Sequence, residues 1–325
     1  MNAANKSSVR HASMRLARRQ AALFHERDTI VPAIKESMKE LILNADDFGL
    51  TQGINRGIIR AHRDGILTSA TLMATGSAFD HAVELARANP TLGVGCHLVL
   101  TGGSAAASRE QIPSLVDENG RLPLSLTALV ASVTTGRVPP GEIEMELRAQ
   151  IEKIRHAGIE PSHLDTHKHT HVHPTIMNAL GRVAQETGIT RVRNPVEDLR
   201  DSWRSNRSDG THTVRNLTAA ATVRAVASGF KAISSKYGLR SPDHFLGLAV
   251  TGQLGAAALC RLIEALDEGK TEIMLHPGIC DQDLERTGSR LQRQRETEME
   301  GLLAQEAKRA VIERGIRLIS YRDLN

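Results

Sequence analysis

Along most of this chain, short apolar runs of five to eight residues alternate with stretches of helical period, and that alternation leaves few folds open. The runs are 41–45 (LILNA), 67–73 (LTSATLM), 93–100 (GVGCHLVL), 162–166 (SHLDT), 190–194 (TRVRN), 245–250 (FLGLAV), 272–276 (EIMLH) and 316–320 (IRLIS). Between them, GINRGIIRAHRDG, SAFDHAVELARANP, GEIEMELRAQIEKIRHAG and HPTIMNALGRVAQETG carry apolar residues at helical spacing, several closed by a Gly or a following Pro. Strand and helix repeated in this way is the pattern of parallel βα units. It predicts an α/β fold, specifically a TIM-like (β/α) barrel that is distorted or incomplete. A doubly wound open sheet is the alternative.

At 325 residues the chain accommodates one such barrel, since these run to about 200 to 250 residues as a unit. Residues 38–325 are expected to form a single domain, with long insertions near 101–140 and 195–244. Trp203, the one tryptophan of the chain, falls in the second. Loops of that length inside a compact domain usually act as lids or binding elements. Residues 1–37 read as a basic N-terminal extension, because Met38 directly precedes the first strand. The first twenty residues contain no acid and are rich in Arg, somewhat like an organelle transit peptide.

Composition excludes several function classes. The formal charge is +4, but residues 1–40 hold eight Lys or Arg against four Asp or Glu, so the remainder is neutral. Aromatic residues make up 2% of the chain, which argues against a nucleic-acid surface built on base stacking. No apolar run is long enough to cross a bilayer. Three cysteines, Cys96, Cys260 and Cys280, form neither a CxxC pair nor an even disulfide set, which suits a reducing compartment, and the cytoplasm is the expectation. Cys96 is expected to pack in the core. GVGCHL lacks the third glycine of a dinucleotide fingerprint, and neither a Walker loop nor a G-x-S-x-G elbow occurs.

Chemistry-bearing groups collect where the strands end. These are Asp46 and Asp47 after LILNA, His97 in GVGCHL, Asp165 and His167 in LDTHKHTHVHP, and His276 in EIMLH. In a parallel barrel all these ends open on one face, so residues distant in sequence converge there. Each has a blander reading: an Asp pair before Phe-Gly suits a turn, and a single histidine is commonly a hydrogen-bonded structural residue. The run of His167, His169, His171 and His173 is stronger, because residues at i and i+2 of an extended chain share a face. A catalytic metal takes about three protein ligands. Asp47, His97 and His167 are the expected set, with His169 or Asp165 as substitute or supporting neighbour. His171 and His173 fall where the next helix begins at Pro174. Two histidines and a carboxylate describe a hydrolytic zinc site and also a non-haem iron oxygenase. Asp46, beside Asp47, favours hydrolysis, as a general base for a metal-bound water. A histidine-rich protein that buffers several ions without catalysis is a further alternative.

NADDFGLTQGINRGI, GVGCHLVLTGG, HLDTHKHTHVHP and HPG resemble the YdjC-like carbohydrate deacetylases, in order and near the usual spacing, over about residues 40–320. The resemblance implies a distorted β/α barrel and one divalent metal ion, whether zinc, magnesium or a transition metal, that serves hydrolysis of an N-acetyl group on an amino sugar. It implies metal binding by Asp47, His97 and His167, a general base at Asp46 and a general acid at His276. Lys168 stands where the family commonly has histidine. LRDSWR and SPDHFLGLAVTGQL are similar to the branch associated with hopanoid biosynthesis, which implies an N-acetylglucosaminyl hopanoid as substrate and peripheral contact with the inner face of a membrane. A chitooligosaccharide is the alternative substrate.

Overall fold

In the computed structural model, residues 38–197 and 210–324 are described. The extension 1–37, Trp203 and the LRDSWR motif lie outside the described residues. Among the described residues, seven strands form one wholly parallel sheet: β1 (Lys39–Phe48), β2 (Ser69–Leu72), β3 (Gly93–Leu98), β4 (Leu164–Thr166), β5 (His244–Leu246), β6 (Gly269–Leu275) and β7 (Arg317–Leu318). Their order is β4-β3-β2-β1-β6-β5, and β7 pairs with the start of β1 through Glu40↔Arg317 and Leu41↔Leu318. Helices fill the connections, and the expected α/β fold is found as a distorted barrel.

The distortion has local causes. Segment 190–194 is not the continuous strand its apolar pattern predicts; it makes isolated bridges, Leu164↔Val192 and Arg191↔Arg240, between the edge of β4 and the approach to β5. Pro195 then removes the next amide donor. β5 stops three residues in, at Gly247, whose φ of 117° suits glycine. β7 is two residues long because Ser320 and Asp323 form a capping box that turns the chain into a 3-10 turn, Tyr321–Asp323.

The four expected helices are present as Gln52–Asp64, Phe79–Arg87, Pro140–His156 and Pro174–Thr187. Thr51 caps the first by accepting from Ile54 N–H; the fourth begins at Pro174 and ends at Gly188 in a left-handed conformation. Outward-facing strand residues such as Leu43, Ala70, Val94, Cys96, Leu98, Leu164 and Ile273 join the helices in the main apolar core. Cys96 is thus a core packer, as expected.

The long connection after β3 is fastened to the helix Pro140–His156. Glu142 accepts from Ser114 and Leu115 N–H, Glu146 from Ala106 and Ala107 N–H, and Gln150 bonds both backbone groups of Val99. These three helix residues, four apart, share one buried face. Loop amides that would otherwise be buried without partners are thereby satisfied.

Inward-facing residues are different in kind. Asn44 and Asp46 of β1, Thr71 of β2, His97 of β3, Asp165 of β4 and Glu272 of β6 are all buried and polar. Below them lies a small separate apolar cluster of Ile42, Ile319, Tyr321 and Leu324. The barrel interior is therefore a polar column on an apolar floor, and the column leads to the site.

Candidate metal centre

Consecutive residues of a strand point to opposite faces, so Asp46 and Asp47 should not both reach the interior. A bulge resolves this: the β1–β2 register shifts between Ala45 and Phe48, and Asp47 has φ 66°. A non-glycine residue in the left-handed region stores strain of the kind often kept at functional sites. Its effect here is that both carboxylates face His97.

The structure brings together the three residues expected to form one cluster. Asp47 Oδ1 lies 3.5 Å from His97 Nε2 and 3.3 Å from His167 Nδ1, and the two imidazole nitrogens are 3.3 Å apart. Asp47 Oδ1 is buried yet accepts no hydrogen bond. One orphaned carboxylate oxygen facing two ring nitrogens fits a cation better than it fits hydrogen bonding alone.

A second close group, Asp46, His97 and Asp165, does not suit a cation. The Arg193 guanidinium already occupies it, binding Asp46 through two nitrogens at 2.8 and 2.7 Å and Asp165 Oδ2 at 2.6 Å. Asp165 Oδ1 accepts from His97 Nδ1 at 2.8 Å, and Thr71 Oγ1 stands 3.2 Å from both residues. Asp165 therefore orients His97 so that Nε2 faces Asp47. A carboxylate behind a ligating histidine is a common means of fixing the ring and its tautomer.

The local charges follow. Burial alone would lower the His97 pKa, but Asp165 together with Asp46 and Asp47 outweighs it and raises the value to about 9. Burial lowers the His167 pKa, against the pull of Asp47, so this ring is neutral near pH 7. Burial opposes ionisation of Asp47, yet the Arg295 guanidinium, 2.6 Å from Oδ2, holds its pKa well below the usual range. Asp46 and Asp165 are likewise buried and kept ionised by Arg193.

The histidine run does not continue as a strand. Residues 167–172 form a 3-10 turn in which Lys168 and His169 have φ of 56° and 52°, so the rings do not alternate along one face. His167 alone of the run joins the Asp47 cluster. His169 is buried against the edge of Phe245, with ring centroids 5.9 Å apart, and belongs to neither close group. Burial lowers its pKa well below the ordinary value. His171 is held by Thr166 Oγ1 at 2.6 Å and the Arg193 carbonyl at 3.1 Å. His173 caps the following helix by accepting from Thr175 N–H. His276 lies one residue beyond β6; Glu298 accepts from its backbone N–H at 2.6 Å and from Gly252 N–H at 2.6 Å.

Arg193, Arg295 and Glu298 escaped the reading of strand ends. Arg295 and Glu298 sit in RQRETEME, whose density of charge resembles a solvated helix face, yet both are at most 1% exposed. The signal for Arg193 was its place inside an apolar run; a cation at an inward strand position requires buried acids around it.

A family model described as YdjC-like protein matches residues 40–313. A carbohydrate deacetylase of Brevibacillus brevis is 38% identical over 88% of this chain and 99% of its own length, and a chitooligosaccharide deacetylase of Klebsiella pneumoniae is 35% identical over 87% and 98%. Among solved structures, an Enterococcus faecalis protein described as a candidate cellobiose-phosphate cleavage protein superposes with a TM-score of 0.69 at 30% identity, covering 88% of this chain and 98% of that one. The bulged Asp pair, the histidine on β3 and the histidine after β4 all fall inside the matched span, and the chain belongs to the YdjC-like family.

Proposed function

We propose that this protein removes the acetyl group from an N-acetylglucosamine-containing substrate by metal-assisted hydrolysis. The observation that carries the reading is the orphaned Asp47 Oδ1 facing His97 Nε2 and His167 Nδ1. These three side chains would hold one divalent ion. Held there, a divalent ion would supply Lewis acidity, lowering the pKa of a bound water towards about 7 and polarising the acetyl carbonyl.

The protein's own groups manage the protons. Asp46 takes the proton of the attacking water. With both oxygens bonded to Arg193 it is a weak base, so it needs a water already made acidic. His276 gives a proton to the departing sugar nitrogen, which then leaves as an amine while the acetyl group departs as acetate. Each positioned proton transfer contributes about 10² to 10⁴ in rate. Asp165 and Arg193 keep His97 and Asp46 in place.

His97 also makes ion binding depend on pH. Its pKa of about 9 without an ion means that the ring is protonated at pH 7, whereas a ligand nitrogen must be bare. Ion uptake at pH 7 is expected to release about one proton per chain, measured by titration calorimetry in buffers of different ionisation enthalpy. Uptake with no proton release would remove His97 from the ligand set. The raised pKa also means that, without the ion, His97 contributes stability fully present below about pH 6.5 and lost as pH rises through about 9.

For the substrate, SPDHFLGLAVTGQL and LRDSWR support an N-acetylglucosaminyl hopanoid, which would bring the enzyme to a membrane surface. The names of the relatives favour a chitooligosaccharide as the second reading. Among the described residues no helix is long and apolar enough to cross a membrane. Acetate release measured side by side from an N-acetylglucosaminyl hopanoid and from diacetylchitobiose separates the two. Release from the hopanoid alone is expected, and release only from the sugar oligomer would overturn the lipid assignment.

A further inference from the structure

The polar column does not end at Arg193. Its guanidinium also binds Glu272 Oε1, through Nε at 2.9 Å and Nη2 at 2.8 Å, and Tyr321 donates its hydroxyl to Glu272 Oε2 at 2.5 Å. Glu272 and Tyr321 are both at 0% exposure. We infer that Tyr321 and Glu272 are positioning residues for deacetylation, which fix Arg193 and through it the carboxylate of Asp46. The inference rests on the reading of Asp46 as the general base.

Much of the floor of the barrel is built around delivering this hydroxyl. The Ser320–Asp323 capping box sets the final turn. Tyr321 N–H donates to Ser69 Oγ at 3.3 Å, and its ring stacks on His163 at 3.6 Å with the planes 4° apart. His163 in turn occupies the space over Gly95, where a Cβ would lie 2.4 Å from the imidazole. Tyr321 is thus held by its backbone and its ring face, with the hydroxyl left to Glu272.

Arg193 is shared among three carboxylates, so its orientation is set by all of them. Without the hydroxyl, one buried Glu272 oxygen loses its donor. Glu272 is then free to move or to take up a proton, and burial already raises its pKa. The fork on Asp46 shifts with it. Small displacements of a catalytic group cost rate because the reacting geometry is narrow.

The test uses Tyr321→Phe, which keeps the stack and removes only the hydroxyl, and Glu272→Gln, which keeps an acceptor for Arg193. On the metal-loaded full chain, kcat and KM are measured with diacetylchitobiose and with the N-acetylglucosaminyl hopanoid, beside metal content and Tm. The expected result is a fall in kcat of roughly 10-fold in each variant, with KM and metal content unchanged, and a double variant no slower than the slower single one. A kcat within twofold of wild type in the folded variants, or effects that multiply in the double variant, overturns the relay. If Tyr321→Phe fails to fold, Glu272→Gln carries the same comparison. A wild-type protein that releases acetate from neither substrate overturns the deacetylase reading and the relay with it; an active wild type beside unimpaired variants overturns the relay alone.

Discussion

Asp46→Asn is expected to lower the rate of acetate release by about 10² to 10⁴ while leaving divalent metal content near that of wild type. The amide matches the carboxylate in shape and cannot accept the proton of the attacking water. The atoms that would hold the ion, Asp47 Oδ1, His97 Nε2 and His167 Nδ1, are untouched. Elemental analysis beside a steady-state assay reads both quantities. Turnover close to wild type would remove Asp46 from the chemistry, and loss of the metal would make it part of the ion's support. The same substitution turns one Arg193 contact into a clash between donors, so a modest loss of stability should accompany it.

The largest structural effect is expected from Arg193→Met. In the native protein one guanidinium compensates Asp46, Asp165 and Glu272, all of them at most 3% exposed. Removing it leaves three acids buried together, and breaking a buried ion pair by deleting one partner costs about 3 to 5 kcal/mol. Urea denaturation at pH 7 should show a loss at least that large, or no folded protein at all. The pH dependence gives a sharper check. In wild type, Asp46 and Asp165 have depressed pKa values, so their contribution is present above the unfolded carboxylate range and is lost on acidification. In the variant, burial without the cation raises the same pKa values, and protonation stabilises the folded state instead. The gap between variant and wild type should therefore narrow as pH falls from 7 towards 4. A gap that stayed constant would mean that Arg193 contributes packing rather than charge.

The same residues show what the sequence made legible. Alternation of apolar runs with helical stretches places β1, β2, β3, β4 and β6 and four helices, because burial against helices demands continuous apolar residues. It fails at 190–194, where two isolated bridges replace a strand and Pro195 removes the next amide donor. Convergence of parallel strand ends already groups Asp47, His97 and His167 in the sequence pattern. Two parts of the site were hidden by backbone geometry. Strict alternation would send Asp46 and Asp47 to opposite faces, and only the left-handed Asp47 brings both inward. The histidine run reads as extended by its spacing, whereas positive φ at Lys168 and His169 folds it into a turn. Of the supporting residues, Glu272 sits in the middle of β6, Arg193 in a segment that forms no continuous strand, Arg295 on the helix Gln294–Leu303 and Tyr321 in the closing 3-10 turn, so none is at a strand end that the pattern marks. They are recognised only once the buried acids they compensate are seen around them.

One ion held by Asp47, His97 and His167 is proposed to drive hydrolysis of an N-acetyl group. The most direct test is acetate release by metal-stripped protein before and after titration with zinc, magnesium or another divalent ion. No release is expected from the stripped protein, with full recovery at one ion per chain. Undiminished release from stripped protein, or uptake of several ions with no turnover, would contradict it.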